Sequence, residues 1–242
     1  MNTENNDQQS TGHVVVVASG GLDSTTLAYW LGANGTARLT LLGVDYGQRH
    51  GTELSYLEVT AKALGATYVR LDLSGLATLV SGFALTDARV PVPPGHYSDV
   101  SMRATVVANR NLLLLDLAVA HAVSAGADAV AFGAHSGDHT IYPDCRPVFV
   151  EAYRRMVTVA NEGFISDGFQ VLAPFIEMTK AEIVRLGARL GVPFADTWSC
   201  YQGGRRHCGR CGTCTERKEA FALAGVFDPT DYDDPSPAVS RK

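Results

Sequence analysis

Short unbroken runs of apolar residues alternate along the chain with longer stretches in which apolar residues recur every three or four positions. The short runs predict strands that are covered on both faces, and the periodic stretches predict helices with one buried stripe. The predicted strands cover residues 14–18, 39–44, 68–71, 129–133 and 171–174. The predicted helices cover residues 25–31, 54–64, 111–124, 148–159 and 179–190. Regular alternation of the two indicates an α/β fold, a parallel sheet with helices on both faces.

The same pattern divides the chain into a main domain and three smaller parts. Residues 1–12 are polar and are predicted to form a disordered leader, and the α/β domain follows over residues 13–196. A small cysteine-bearing subdomain with a helix is predicted over residues 197–227, and residues 228–242 form an acidic tail that we expect to fray. Within the main domain, residues 74–101 lack a regular pattern, which predicts a long loop of the kind that often covers or binds a ligand.

Composition and charge exclude several classes of protein. With 46% hydrophobic and 19% charged residues the chain is globular, and 20 Lys and Arg against 25 Asp and Glu leave a net charge of −5. It therefore lacks the bulk positive field of non-specific nucleic-acid binders. The most apolar stretch, residues 112–123, is interrupted by Asp116 and His121, whereas a membrane span needs about 18 or more apolar residues. The first thirteen residues contain no Lys or Arg, so we expect a cytoplasmic protein without membrane or direct nucleic-acid partners.

The sharpest motif is Ser19-Gly20-Gly21-Leu22-Asp23-Ser24, between the first predicted strand and the first predicted helix. Glycines let the backbone come close to a ligand, and a helix start directs free N–H groups and the positive end of its dipole at the same point. The two serines add hydroxyl donors, so the loop suits a phosphate group. A bare Gly-Gly pair would favour a simple turn with Asp23 and Ser24 as helix caps, and the complete string argues against that alternative.

This string resembles the signature of the PP-loop ATP pyrophosphatases, which cleave ATP between its α and β phosphates. The resemblance implies that the loop holds the leaving pyrophosphate while a carbonyl-type oxygen of the substrate attacks the α-phosphate. The predicted ATP-binding residues are the loop and its flanks: Val17, Ala18, Ser19, Gly20, Gly21, Leu22, Asp23, Ser24, Thr25, Thr26 and Leu27. Residues 45–50, after the second strand, are predicted to form one side of the adenosine pocket. The alternative is that they form a solvated polar loop.

Four of the five cysteines lie close together, with the spacing C-x7-C-x2-C-x2-C: Cys200, Cys208, Cys211 and Cys214. In a reducing compartment such a set indicates a metal site before it indicates disulfides. Two overlapping C-x2-C turns and an upstream cysteine suit tetrahedral Zn²⁺ in a structural site. A redox-active cysteine pair and an iron–sulfur cluster are the alternatives, and His207 is a further candidate ligand.

The glycine loop and the cysteine set together resemble the 7-cyano-7-deazaguanine (preQ0) synthases of queuosine biosynthesis, over about residues 14–228. The resemblance also rests on Arg110-Asn111 and on residues 44–50, 142–147, 179–183 and 199–214. Two positions depart from the family's usual strings near the expected substrate pocket. Ala108-Asn109 stands where Pro followed by Ala or Gly is usual, and Asp138-His139-Thr140-Ile141 stands where Asp-x-Ser-Gly is frequent.

The resemblance implies an ATP-dependent carbon–nitrogen ligase with a two-stage reaction. The carboxylate of 7-carboxy-7-deazaguanine is adenylated, ammonia displaces AMP to give an amide, and a second adenylation on the amide oxygen lets the nitrile form. Mg²⁺ is expected with ATP and Zn²⁺ in the cysteine site, and the family suggests a homodimer. The catalytic candidates are Asp23, Ser24 and Arg110; the substrate-binding candidates are Arg110, Asn111, Asp144 and Arg146.

Several of these side chains keep alternative roles on sequence grounds. Asp144 could read the N–H and amino groups of the base or cap a turn, and Lys180 could reach a phosphate or stay solvated in the first turn of its helix. Cys145 is interpreted as a packed thiol and not as a sulfur carrier. His135 and His139 could form a second metal site, although ordinary loop polarity is favoured.

Three other functions remain as alternatives to the synthase. A PP-loop enzyme could modify tRNA in place, a role that would need a basic face or an added RNA-binding domain. A related enzyme could activate the deazaguanine and stop at the amide, or transfer the base to a protein. A non-enzymatic zinc-knuckle module with a vestigial nucleotide site is the third, and the intact glycine loop argues against it.

Overall fold

The computed structural model of the chain describes residues 12–95 and 103–237. One sheet of five parallel strands has the order β3-β2-β1-β4-β5. The strands are β1 (His13–Val17), β2 (Arg38–Asp45), β3 (Thr67–Asp72), β4 (Ala129–Ala131) and β5 (Gln170–Leu172). The α-helices are α1 (Leu22–Ala33), α2 (Glu53–Leu64), α3 (Arg110–Ala125), α4 (Pro147–Ala160), α5 (Lys180–Arg189) and α6 (Gly212–Ala224). The predicted α/β fold, with helices on both faces of a parallel sheet, is confirmed.

The sheet carries two separate cores because successive side chains of a strand point to opposite faces. On one face Val14 and Val16 pack with α1, α2, α5 and α6, and on the other face Val15 packs with α3 and α4. All three valines are fully buried, as the unbroken β-branched run predicts for a central strand.

The strand order also fixes where a ligand can bind. β1 pairs with β2 on one side and with β4 on the other, so the connections that follow β1 and β4 leave the sheet in different directions. The crevice between them opens at the carboxyl ends of these strands, the position at which open α/β sheets bind ligands. The glycine loop follows β1, and residues 132–146 follow β4.

Element boundaries agree with the sequence prediction to within a residue for α3, α4 and α5, and Thr179 forms the predicted capping box with Glu182. The first helix begins earlier than predicted, at Leu22, which places Asp23 and Ser24 in its first turn. β4 ends at Ala131 and not at residue 133, although Phe132 N still donates to the carbonyl of Leu172 in β5 at 3.1 Å.

The predicted loop over residues 74–101 is partly ordered into compact structure. It begins with a 3₁₀ turn at Ser74–Thr78, and Ala84 and Leu85 are fully buried in it. Residues 96–102 of this prediction lie outside the described residues.

The expectation that the tail frays is wrong for residues 228–237, which pack against the cysteine subdomain. Arg217 Nε donates to Asp228 Oδ1 at 3.3 Å, and Lys218 Nζ donates to the carbonyl of Asp234 at 2.7 Å. Residues 1–11 of the predicted leader and residues 238–242 of the tail lie outside the described part of the chain.

One segment, Arg103–Ala125, is long and apolar enough to cross a membrane by the test of length and composition. It contains α3, whose Leu115, Ala118 and Ala122 are buried against the sheet. Other apolar side chains of the helix, Leu112, Leu113, Leu114 and Leu117, are partly exposed.

Candidate active site

The glycine loop closes on itself around the hydroxyl of Ser19. Gly21 N donates to Ser19 Oγ at 3.2 Å, and Ser19 N donates to Ser24 Oγ at 3.3 Å. Ser24 Oγ in turn donates to the Gly21 carbonyl at 3.3 Å. The two serines therefore fix the curvature of the loop at the start of α1, where N–H groups and the helix dipole favour an anion.

Gly20 is required by its surroundings as well as by its conformation. Its φ of +80° lies in the left-handed region, and a Cβ there would stand 2.3 Å from the carbonyl oxygen of Glu53 and 2.7 Å from Leu57 N. The backbone carbonyl of Gly20 also accepts a hydrogen bond from Trp198 N at 2.9 Å. The loop is thus clamped between α2 and the segment that leads into the cysteine subdomain.

Ten of the eleven predicted ATP-binding residues divide into two groups, and the eleventh is Gly20, the clamped residue of the loop. Residues that line the cleft above the loop are Val17, Ala18, Ser19, Gly21, Asp23 and Ser24. Residues of α1 that point into the protein instead are Leu22, Thr25, Thr26 and Leu27, all at most 1% exposed. Thr26 Oγ1 donates to the carbonyl of Leu22 at 2.8 Å, a local helix bond. The side chains of these four pack beneath the loop.

A charged cluster stands beside the loop and was only partly visible in the sequence. Lys180 Nζ lies 3.2 Å from Asp23 Oδ2 and 2.9 Å from Glu216 Oε2. His135 Nε2 lies 3.5 Å from Asp138 Oδ2 and 4.0 Å from Asp23 Oδ2, and its Nδ1 accepts from Gly137 N. The structure therefore places Lys180 and His135 beside the glycine loop, where Lys180 is largely buried and paired with carboxylates.

Electrostatics in this cluster favour a charged pair at Asp23 and Lys180. Burial opposes ionisation of Asp23, but Lys180 and His135 outweigh it and hold the pKa of the carboxyl below its usual range. Burial likewise opposes the ammonium of Lys180, and the carboxylates of Asp23, Glu216 and Asp138 outweigh it and raise its pKa. Burial raises the pKa of Asp138, with Glu216 adding to the effect.

The cluster is suited to Mg²⁺ that arrives bound to a nucleotide. Asp23 Oδ1 is buried without a hydrogen-bond partner among the described residues, and Asp138 and Glu216 add carboxylates that one lysine does not balance. Phosphates placed here need a further cation, and Mg²⁺ characteristically binds one or two carboxylates together with phosphate oxygens. Among the described residues, a set of side chains that could hold a metal without phosphates is found at the cysteines and not here.

The opposite end of the cleft is lined by aromatic side chains around Arg110. Tyr46, Tyr142 and Tyr201 line it together with Arg110 and His50. The guanidinium carbon of Arg110 lies 5.8 Å from the centre of the Tyr142 ring. Burial opposes its charge, but the electrostatic influence of Tyr46, Tyr142 and Tyr201 leaves its pKa raised, so Arg110 is a cation in a largely apolar setting. Such a group binds a carboxylate or phosphate, and flat rings suit a planar heterocycle.

Of the other predicted substrate residues, Asn111 lines the cleft and Asp144 and Arg146 do not. Asp144 Oδ2 accepts from Asn111 N at 3.1 Å at the start of α3, and Arg146 Nε donates to the carbonyl of His139 at 2.6 Å. Direct contact of these two residues with the substrate stays a prediction. The bond that Asp144 accepts joins it to the first turn of α3. The thiol of Cys145 accepts from Asn111 Nδ2 at 3.2 Å and is 5% exposed, which fits the packed-thiol interpretation.

The departure at Asn109 has a conformational explanation. Asn109 precedes α3 with a φ of +64° and is the non-glycine residue in the described chain that adopts a positive φ. Asparagine tolerates this left-handed region better than most other side chains, so it can stand at the second position of this string, where the family usually has Ala or Gly.

The four cysteines converge as predicted. Their sulfur atoms all lie within 4.8 Å of one another. A tetrahedral Zn²⁺ with bonds of about 2.3 Å needs sulfur atoms a little under 4 Å apart, so the set fits such an ion after small shifts. Cys211 is the N-cap of α6, whose dipole favours thiolates, and the thiols receive N–H bonds from Cys208 and Cys211 at 3.3 and 3.2 Å. His207 is not part of the set: its Nε2 accepts from Ser199 N at 3.0 Å.

The cleft has a volume of about 2030 Å³, which includes space beside α6 and the tail as well as the space between the glycine loop and Arg110. The sequence analysis gave no ligand-binding role to several residues that line the cleft, among them the ring of Tyr46, Glu53, Asp138, Tyr201 and Glu216. The burial of Glu53 could have been predicted from the sequence, because Glu53 directly precedes Leu54 at the start of the buried stripe of α2.

Comparisons with known proteins agree with this geometry. A family model described as queuosine biosynthesis protein QueC matches residues 13–225. The 7-cyano-7-deazaguanine synthase of Rhizobium rhizogenes is 52% identical over 221 residues, 91% of this chain and 92% of that protein. The synthase of Paracoccus denitrificans is 50% identical over 220 residues, 91% of this chain and 93% of that protein.

Among solved structures, NMN synthetase from Francisella tularensis is similar over 90% of this chain and 79% of its own, with 16% identity and a TM-score of 0.47. The match to the family model spans the sheet, the glycine loop and the cysteine set. This chain therefore belongs to the QueC family of queuosine biosynthesis proteins.

Proposed function

We propose that this chain converts 7-carboxy-7-deazaguanine and ammonia into 7-cyano-7-deazaguanine, with ATP as the activating co-substrate. The observation that carries the proposal is that one cleft joins a phosphate loop with a Lys180–Asp23 pair to an aromatic pocket around Arg110. Relatives about half identical over nearly their whole length are named for this synthase, which supports the choice of substrate.

The chemistry requires an oxygen to be turned into a leaving group twice. In the first stage a carboxylate oxygen attacks the α-phosphate, pyrophosphate leaves, and ammonia then displaces AMP to form the amide. In the second stage the amide oxygen attacks the α-phosphate of another ATP, and loss of AMP with two protons leaves the nitrile. Two ATP molecules are therefore consumed for each nitrile.

The residues of the cleft divide this work between its two ends. The glycine loop and Lys180 stabilise the negative charge that develops on the departing pyrophosphate. Arg110 holds the carboxylate of the base within the aromatic pocket, so that its oxygen faces the α-phosphate. Asp23 keeps the Lys180 ammonium in place while phosphates are absent. The buried rings exclude water that would hydrolyse the adenylate.

Two metal ions complete the proposal. Mg²⁺ bound with ATP would be held by Asp23, with Asp138 beside it, and would offset charge on the phosphates. Zn²⁺ would be held by Cys200, Cys208, Cys211 and Cys214, and with four thiolates it would have no open position for catalysis.

We further propose that the protein works as a homodimer in the cytoplasm, without binding nucleic acid. The described cysteines form no disulfide, as suits a reducing compartment. Exposed apolar side chains on and just after α4 (Val148, Val159 and Phe164) offer a surface for a second copy. Light scattering of the purified protein measures the oligomeric state.

The test is mass spectrometry of the protein incubated with ATP, Mg²⁺, ammonium and 7-carboxy-7-deazaguanine. The expected result is the nitrile together with two equivalents of AMP. Asp23→Ala should abolish AMP formation and leave the fold intact, and Asp167→Asn, on an exposed turn, is the matched control. AMP with only the amide, or with an adduct on protein, would favour a related activating enzyme. Salt-sensitive tRNA binding in place of turnover would favour a tRNA-modifying enzyme.

A further inference from the structure

Glu53 is a buried carboxylate in the aromatic part of the cleft, and the adenylation steps do not use it. It is the first residue of α2, and its side chain is 11% exposed. Its own backbone carbonyl packs against Gly20 of the phosphate loop, so the position of the side chain relative to the nucleotide is fixed. A carboxylate in such a place costs free energy unless something binds it.

The contacts around Glu53 hold it in one orientation. Gln48 Nε2 donates to Glu53 Oε1 at 3.3 Å and to the carbonyl of Val44 at 3.2 Å, while Gln48 Oε1 accepts from Tyr46 N at 2.8 Å. The amide of Gln48 therefore cannot turn over. His50 Nε2 lies 3.5 Å from the same carboxylate oxygen. A carboxylate held by a fixed donor network has the rigidity that recognition of a ligand edge requires.

The surroundings of Glu53 shift the pKa of its carboxyl in opposite directions. Burial raises the pKa of the carboxyl to about 8, whereas Gln48 and Arg110 act to lower it and Asp45 to raise it. Burial also lowers the pKa of His50 to about 3, with Arg110 and Arg49 contributing, so the imidazole brings no positive charge to the pair. Ligand N–H groups that donate to the carboxylate would supply the stabilisation that these neighbours do not.

We propose that Glu53 reads the edge of the deazaguanine base that carries the ring N–H and the exocyclic amino group, while Arg110 receives its carboxylate. This inference rests on the proposed function. The base presents two neighbouring donors on that edge, and the carboxyl accepts from both once it has released its proton to solvent on binding. Asp144, the sequence candidate for this role, is engaged at the start of α3.

The chemistry of the pocket favours the base over ATP as the partner of Glu53. An adenine edge pairs a donor with an acceptor, which suits an amide side chain and places a lone pair against a carboxylate. Ribose hydroxyls could donate to Glu53, but its neighbours here are flat rings: His50 and Tyr201 have centroids 5.1 Å apart, and both line the cleft. Aromatic rings that line the cleft favour a planar base over a sugar.

The test compares wild type with Glu53→Gln in steady-state kinetics, with 7-carboxy-7-deazaguanine and with its analogue that lacks the exocyclic amino group. The amide places an N–H₂ donor against the donors of the base. We expect the KM for the base to rise roughly 10- to 100-fold, since a bidentate base-edge contact contributes about 1–3 kcal/mol. The KM for ATP should change less than about twofold, and the preference of the wild type for the amino-bearing base should disappear.

Glu58→Gln is the matched control, because Glu58 lies on the exposed side of the same helix. Glu53→Asp keeps the carboxylate and should keep the preference for the amino-bearing base at reduced affinity, and it also serves if Glu53→Gln does not fold. A raised KM for ATP in Glu53→Gln, with the KM for the base unchanged, would overturn the proposal and assign Glu53 to the ribose.

Failure of this inference is separable from failure of the proposed function. Calorimetric titration of the wild type with the base, without ATP, shows whether the base binds at all. A wild type that neither binds the base nor makes the nitrile contradicts the proposed function. A wild type that does both, with Glu53→Gln unchanged in KM and in base preference, contradicts the role of Glu53 alone.

Discussion

Lys180 Nζ lies 3.2 Å from Asp23 Oδ2, across the mouth of the phosphate loop. The second carboxylate on the same ammonium, Glu216 Oε2, is 2.9 Å away and belongs to the helix that begins at the cysteine set. The glycine loop, α5 and α6 are far apart in the sequence, and each contributes one side chain to this cluster around the Lys180 ammonium. Because this lysine is the cation nearest the loop's own carboxylate, it is the group that bound phosphates would compete for.

Removing that cation should impair adenylation more than binding of the base. We expect Lys180→Met to slow AMP formation at least about 100-fold, the usual effect of losing one charge-stabilising donor. The variant should also unfold at a lower temperature, because Asp23 and Glu216 are left without their cation. Lys62→Met, on the exposed side of α2, is the control. AMP formation at the wild-type rate in Lys180→Met would remove Lys180 from the site.

Comparing two glycines with nearly the same φ distinguishes the cost of a left-handed backbone from the cost of a steric clash. Gly20 and Gly35 have φ values of +80° and +82°, but a Cβ meets backbone atoms of α2 only at Gly20. We expect Gly35→Ala to lower the free energy of unfolding by about 1–2 kcal/mol, the cost of the left-handed conformation. Gly20→Ala should lower it by more than about 3 kcal/mol and weaken ATP binding, since α2 must move. Denaturant unfolding with a nucleotide titration measures both, and equal effects of the two variants would contradict the clash.

The raised pKa of Glu53 predicts a pH-dependent stability difference. Between its ordinary pKa of 4.5 and its folded pKa of about 8, the folded chain holds a proton that the unfolded chain has lost. The contribution of Glu53 to stability therefore falls as pH rises through this window, by about 1.4 kcal/mol per pH unit at most.

Glu53→Gln removes that dependence. It should match the wild type in stability near pH 5 and exceed it progressively toward pH 8, as measured by chemical denaturation at several pH values. Glu58→Gln should run parallel to the wild type throughout. A constant difference between Glu53→Gln and the wild type would show that the carboxyl does not hold its proton in the folded chain.

The geometry at the cysteine set predicts four sulfur ligands and no nitrogen ligand. Cys211→Ser should lose bound metal and solubility together, whereas His207→Gln should keep about one metal ion per chain because its ring accepts from Ser199 N. Elemental analysis of the purified variants measures the metal and identifies it, and visible absorption reports any iron–sulfur cluster. Stable, metal-free and active Cys211→Ser protein would contradict a structural role for the ion.

Local rules of the sequence account for much of this molecule. The β-branched run of β1, the glycine loop after it and the C-x7-C-x2-C-x2-C spacing each concern residues close together in the chain. Their conformations follow from backbone preference, periodicity and ligand chemistry, and the structure agrees with them. The capping box of Thr179 with Glu182 is of the same kind.

Pairings between distant segments depended on the tertiary structure. Nothing near Lys180 in the sequence indicates Asp23 or Glu216, yet the fold brings the three side chains together beside the glycine loop. Nothing near Glu53 indicates Arg110, which lines the same cleft and acts on its charge. Asp144 and Arg146 show the reverse, since their residue types suit a ligand but the fold turns them toward α3 and the carbonyl of His139. The sequence by itself determined the fold class, the glycine loop and the cysteine set that could hold a metal ion. The tertiary packing decided which charged side chains lie next to each other. Their positions depend on where the buried side chains of distant segments leave room for them.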